Sequence, residues 1–166
     1  FHLSERDGFS NLPLYAAEFT EAGCDLISLI GSKSGKEIDV GHCDFSKGIV
    51  TNIKIPENAI IFTSYAAHYV PSLSKNFLML MLGLKPHIVV HFEPLYEAFE
   101  ENTIWGHLCR SFVEHNDYTR NLFSLLSSKE FNSQCSKRIT PNVLGSNPLL
   151  PISVVEWSLN KNTFTV

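Results

Sequence analysis

The sequence predicts an α/β fold: a doubly wound, mostly parallel sheet that ends in an antiparallel hairpin. Three observations predict it. Short apolar runs of strand length alternate with segments whose apolar residues recur at helical spacing. The connections between them are short, as expected where neighbouring strands are joined by helical crossovers. The last part of the chain changes character, to two strand-like runs joined through a Gly/Asn/Pro turn, which is a hairpin pattern.

Residues 12–19, LPLYAAEF, form the first strand and end in an acid. Thr20 is a natural N-cap for the helix that follows, with Glu21 in its first turn, where the helix dipole favours negative charge. Ala22, Leu26, Leu29 and Ile30 recur at helical spacing, and the glycines of residues 31–35 supply the stop. Residues 37–45, EIDVGHCDF, make a second strand ending in an acid. The run AIIFTS, introduced by Glu57 and Asn58, has the length of a strand buried on both faces. Pro71 and Ser72 start a helix that carries Leu73, Phe77, Met81 and Leu84 and is broken by Gly83 and Pro86. HIVVHF is a fourth buried strand, closed by Glu93 and Pro94. Trp105, Leu108, Cys109, Phe112 and Val113 make an amphipathic helix, and Asn116 or Asp117 caps another that runs through Leu126. Residues 138–143 and ISVVEWSL form the terminal hairpin at one sheet edge.

Composition narrows the functional classes. With 166 residues, 44% hydrophobic and 18% charged, and a mean hydropathy of +0.02, the chain has apolar content for one domain with a sizeable core. The balance excludes a disordered tail, a collagen-like repeat and a disulfide-rich miniprotein. A net charge of −4 without a dense Lys/Arg run argues against a nucleic-acid partner. The longest apolar stretches, residues 77–84 and 88–90, are far short of a bilayer span, so no membrane partner is expected. Cys24, Cys43, Cys109 and Cys135 are scattered without a CxxC pair. They read as reduced thiols of a cytoplasmic protein rather than a disulfide framework or a zinc site. The opening FHLSERDG has neither the basic nor the long apolar region of a signal peptide.

In parallel sheets ligands gather at the carboxyl ends of the strands. This directs attention to Glu18, Asp44, residues 63–68 and Glu93, each polar at the end of an apolar run. The stretches YAAEFTEAG, VGHCDF, AIIFTSYAAHYVP, LKPHIVVHFEP and NPLLPISVVEW cover most of residues 14–159. In their order and spacing they resemble the C-terminal two-thirds of a class I S-adenosylmethionine-dependent methyltransferase, closest to the small-molecule or sugar O-methyltransferase kind.

The resemblance implies a Rossmann-like fold, S-adenosylmethionine as cofactor, and a sugar or other hydroxylated metabolite as acceptor. It places Glu18 on the ribose hydroxyls, since a carboxylate can accept from two vicinal hydroxyls at once. Asp44 would meet the adenine amino group, with Cys43 and Phe45 flanking the ring. Thr63 and Ser64 open a segment that faces the methionine portion, while Tyr65 and His68 lie on the acceptor side and Glu93 lines the acceptor pocket. The chain departs from the family where a glycine-rich turn should follow a first strand: residues 1–11 hold one glycine, Gly8. That first strand lies at the centre of the family's sheet. Residues 1–166 are therefore expected to form a single domain lacking this N-terminal strand and turn, both belonging upstream of Phe1.

Methyl transfer is an in-line displacement for which the protein chiefly supplies proximity and alignment. An oxygen acceptor must also lose a proton. A neutral imidazole suits that task near neutral pH, with His68 first in line and Glu93 or His91 as substitutes. Plainer readings stand beside these. Glu18 can cap its own helix, Asp44 can close a turn, His68 can be a satisfied interior histidine, and Glu93 can simply end a strand. His87, His91 and Glu93 share one strand face in the pattern of a metal triad, although a buried strand facing packed helices speaks against a metal. Glu97, Glu100, Glu101 and Asn102 either solvate a helix end or meet a hydroxyl-rich or basic acceptor. Two rival functions remain. In a nicotinamide-dependent oxidoreductase an acid after the second strand also reads a ribose. In a catalytically silent binding module of the methyltransferase fold, the missing glycine turn would need no replacement. A homodimer is the one macromolecular assembly the pattern leaves open.

Overall fold

The computed structural model describes residues 11–160. The chain divides into two compact units. One holds the residues up to Asp44 together with Val50–Ile55, and the other holds Phe45–Ile49 and the residues from Pro56 onward.

The first unit is built on a three-stranded sheet of order β1-β2-β3, from β1 (Leu14–Glu18), β2 (Ile38–Asp44) and the short β3 (Ile49–Thr51). β1 and β2 pair in parallel, with Glu18 opposite His42, and the helix α1 (Glu21–Lys33) makes the crossover. Local chemistry sets both ends of α1. The Thr20 hydroxyl accepts the Gly23 N–H at 3.0 Å, and the chain leaves the helix through Gly35 at φ +64°, a conformation glycine adopts at no steric cost. Leu26 and Leu29 of α1 and Phe19 beyond β1 are exposed.

The second unit carries a four-stranded sheet of order β4-β5-β7-β6, from β4 (Ile60–Ser64), β5 (Ile88–Glu93), β6 (Cys135–Leu144) and β7 (Ile152–Leu159). β4 runs parallel to β5, whereas β7 is antiparallel to both β5 and β6. The helices are α2 (Lys75–Gly83), α3 (Ile104–His115), α4 (Leu122–Leu126) and α5 (Lys129–Asn132), with single 3₁₀ turns at Ala67–Tyr69 and Tyr96–Ala98. The core gathers Phe77, Leu78 and Met81 from α2, Leu122 and Leu126 from α4, and Phe131 from α5 against Val89, Val155 and Trp157 of the sheet. Among the described residues no helix is long and apolar enough to cross a membrane.

The structure overturns the doubly wound, mostly parallel, Rossmann-like sheet. The strands divide between two mixed sheets of three and four strands, and the parallel pairs β1/β2 and β4/β5 stand beside antiparallel pairs made by β7. An apolar run marks a strand but carries no label for its neighbour. Here the hairpin places β7 between β5 and β6, so the strand that returns last in sequence becomes interior to its sheet. AIIFTS is likewise not covered on both faces. β4 is an edge strand, and Ile60 and Phe62 are 49% and 61% exposed. Nor do Asn116 or Asp117 cap the helix that reaches Leu126. Asn116 closes α3, Asp117 takes φ +52°, and α4 begins only after Asn121. The helix expected from Pro71 starts at Lys75, where the Ser74 hydroxyl accepts from Asn76. β3 and α5 are too short to show a period.

Candidate functional site

In the first unit two acids end adjacent parallel strands, Glu18 on β1 and Asp44 on β2. Glu18 is half-buried, and its Oε1 accepts both the Thr20 N–H at 3.1 Å and the Thr20 hydroxyl at 3.0 Å. Burial alone would raise its carboxyl. The Thr20 bonds, with smaller help from the Phe19 N–H and the charge of His42, hold it below the usual carboxylate range. Glu18 therefore braces Thr20, the residue that caps α1, and its ionised carboxylate is within reach of solvent. Asp44 is buried, as is Cys43. Burial pushes the Cys43 thiol up to about 12, with the charges of Asp44 and Glu18 adding to the effect, so the thiol stays protonated. All four cysteines are free.

Phe45 belongs to the second unit. Its ring meets Phe77 edge-on at 5.2 Å and packs against the core.

In the second unit the chain leaves β4 at Ser64, which is exposed, and turns at Tyr65, whose φ of +49° is uncommon for a residue with a side chain. That turn aims three successive backbone N–H groups at one carboxylate. Ala66 and Ala67 donate to Glu93 Oε1 at 3.0 and 3.1 Å, and His68 donates to Oε2 at 3.3 Å. Glu93 is fully buried at the end of β5. Its desolvation acts to raise the carboxyl, but the bonds from His68, Ala66, Ala67 and Thr63 outweigh it and keep the group below the usual range. A buried ionised carboxylate with its oxygens committed in this way orients the turn rather than lining an open pocket.

The His68 ring sits on this scaffold, 2% exposed, with Nδ1 3.5 Å from Glu93 Oε2. Tyr65, Tyr69 and Tyr118 surround it, their ring centroids 5.4, 4.0 and 4.7 Å away. Thr119 closes the turn from below. Its N–H donates to the His68 carbonyl at 2.8 Å, and its hydroxyl donates to the Ala67 carbonyl, also at 2.8 Å.

Thr63 points into the core, its hydroxyl 3.0 Å from His91 Nδ1. The Trp157 indole N–H donates to His91 Nε2 at 3.0 Å. Both nitrogens of His91 are thus occupied, which removes it as a substitute base and as a metal ligand. Among the described residues no group of three His, Cys, Asp or Glu side chains could hold a metal ion. The acidic stretch after β5 has structural work. Glu97 accepts the Ser124 N–H at 2.9 Å at the start of α4, and Glu101 pairs with Arg110 at 3.2 Å.

The structure thus brings Thr63, Tyr65, His68 and Glu93 together in the second unit, and Glu18, Cys43 and Asp44 to strand ends of the first. Sequence reasoning missed Tyr69, Tyr118, Thr119 and Trp157. The one available signal was Trp157, an aromatic with a polar N–H inside an otherwise apolar strand, which needs a buried acceptor. No family model matches the sequence and no curated protein matches it, so its function has to be read from this geometry.

Proposed function

We propose that the protein transfers a methyl group from S-adenosylmethionine to a small-molecule acceptor, a sugar or other hydroxylated metabolite. The observation that carries the reading is the His68–Glu93 pair. A carboxylate anchored by three backbone N–H groups faces Nδ1 of a histidine at 3.5 Å. Such a pairing orients an imidazole and stabilises it when its other nitrogen takes up a proton. In this role His68 is the general base, Glu93 orients it, and Tyr65 shapes the acceptor side. Tyr69, 67% exposed and lying over the imidazole, is the side chain that must swing aside for an acceptor to reach the ring.

Glu18 and Asp44 suit the nucleoside, the first as an ionised acid within reach of hydroxyls. Bound S-adenosylmethionine supplies an activated methyl group on a sulfonium sulfur. Four free thiols accord with a reducing, cytoplasmic compartment, and a second copy of the chain is the only macromolecular partner this reading accommodates.

The test adds S-adenosylmethionine and, separately, NAD to the full-length protein and reads the melting temperature, followed by methyl transfer to a panel of hydroxylated acceptors. Stabilisation by S-adenosylmethionine alone is expected. His68→Gln should lower kcat by about 10²-fold or more with cofactor affinity kept, and Glu18→Ala should do the reverse. A shift with NAD alone would identify an oxidoreductase instead. No shift with either would leave a silent binding module.

A further inference from the structure

Three polar side chains lie in a row on the buried face of the second sheet: Thr63 on β4, His91 on β5 and Trp157 on β7. Thr63 and His91 are direct partners in the parallel register, and Trp157, opposite Val89, reaches His91 diagonally. The positions of the protons in this row follow from chemistry. An indole N–H can only donate, so His91 Nε2, 3.0 Å away, must be bare. The imidazole proton is then on Nδ1 and donates to the Thr63 hydroxyl oxygen at 3.0 Å. The opposite tautomer would set one N–H against another inside the core. Having accepted from His91, Thr63 has its own hydroxyl proton left to donate, and Glu93, its diagonal neighbour across the β4/β5 register and buried on the same face as His91, is the acceptor we assign to it.

We propose that His91 is a tautomer-locked positioning residue. Trp157 sets its proton on Nδ1, His91 turns the Thr63 hydroxyl, and Thr63 orients Glu93 and with it the Ala66–His68 turn. The part His68 plays in methyl transfer rests on the reading above, whereas the relay stands without it. The surroundings of His91 agree. Phe77 of α2 stands 6.1 Å from its ring, Glu93 on its own strand is the charged group acting on it, and burial drives the imidazole down to about 4, so it is neutral near pH 7.

The test is long-range ¹H–¹⁵N imidazole NMR on the labelled full-length protein. At pH 7 His91 should give the Nδ1–H pattern. An Nε2–H pattern, or an averaged mixture, overturns the proposal with no variant needed. Trp157→Phe should release the lock and bring in the Nε2–H form. Should that variant not fold, Thr63→Val tests the far end of the relay. Amide exchange at Ala66, Ala67 and His68 should then accelerate about tenfold, the loss of one hydrogen bond, with β6 and β7 unchanged. Unaltered exchange there would overturn the proposal too. Phe131→Leu, which trims the ring packed edge-on against Trp157 at 5.1 Å, should lower stability and leave the tautomer alone. A merely structural role would not separate these variants. Absence of methyl transfer would move none of these readouts, so failure of the relay and failure of the functional reading remain distinct.

Discussion

The two units of the molecule each end a parallel strand on a glutamate, and they use it in opposite ways. Glu18 folds back onto Thr20, two residues on, and stays half-exposed. Glu93 reaches across 25–27 residues of sequence to gather three backbone N–H groups and is sealed from water. The same contrast runs through the packing. Cys43 is the one buried hydrophobic side chain of the first unit among the described residues, while Phe77, Phe131 and Trp157 anchor a broad core in the second. Local caps set helix starts in both units, Thr20 in the first and Ser74, Thr103 and Ser128 in the second. What sets the second apart is the turn at Ala66–His68, held by partners distant in the chain. A half-exposed acid can exchange its local donors for those of a ligand, and a sealed one can only organise what surrounds it. The structure thus leaves Glu18 with local, exchangeable donors and commits Glu93 to positioning the Ala66–His68 turn.

Substitutions can break or sharpen this contrast. The largest effect is expected from Glu93→Ala, which leaves three backbone N–H groups, those of Ala67 and His68 buried, without an acceptor and should cost about 3–5 kcal/mol in urea unfolding. A loss under about 1 kcal/mol would mean that Glu93 is no more structural than Glu18. Phe77→Ala should cost a comparable ~3–5 kcal/mol through the cavity it opens.

Acid should act next. The folded pKa of His91, about 4, lies below its ordinary value of 6.5, so its contribution is complete above pH 6.5 and is lost as pH falls towards 4. At about 1.4 kcal/mol per pH unit over that window, the loss is on the order of 3 kcal/mol. Glu93, whose carboxyl is also held low, extends the loss in the same direction below about pH 4.5. Urea midpoints measured at pH 7 and pH 4 check this, and a flat profile between them would exclude a neutral buried His91. Thr20→Ala removes a cap from α1 and should cost about 1 kcal/mol, visible as faster amide exchange in the first turn. Leu29→Ala, at a side chain 50% exposed, should stay within about 0.5 kcal/mol. A larger effect would show that the first unit has more core than its exposure suggests.

Much of the local structure was legible. The Thr20 cap, the stop near Gly35, the strand ending at Glu93 and the amphipathic helix from Ile104 all rest on neighbours within one or two turns of the chain. That Glu18 supports the start of α1 was readable for the same reason, since Thr20 lies two residues away. Glu93 was visible as a polar residue closing an apolar run, but nothing nearby revealed that its partners are the N–H groups of Ala66–His68. Tyr118 and Thr119 reach His68 from beyond α3, across about fifty residues, and leave no periodic trace.

What the sequence determined by itself is most of the longer elements and the polar residues at their ends, because caps, stops and strand periods are short-range properties of the backbone. The tertiary structure alone decided which strands share a sheet, that β7 enters between β5 and β6, and that His91 carries its proton on Nδ1. Strand pairing and tautomer both depend on which hydrogen-bonding groups meet in space. An indole 66 residues away from His91 can fix its proton only after the sheet has formed.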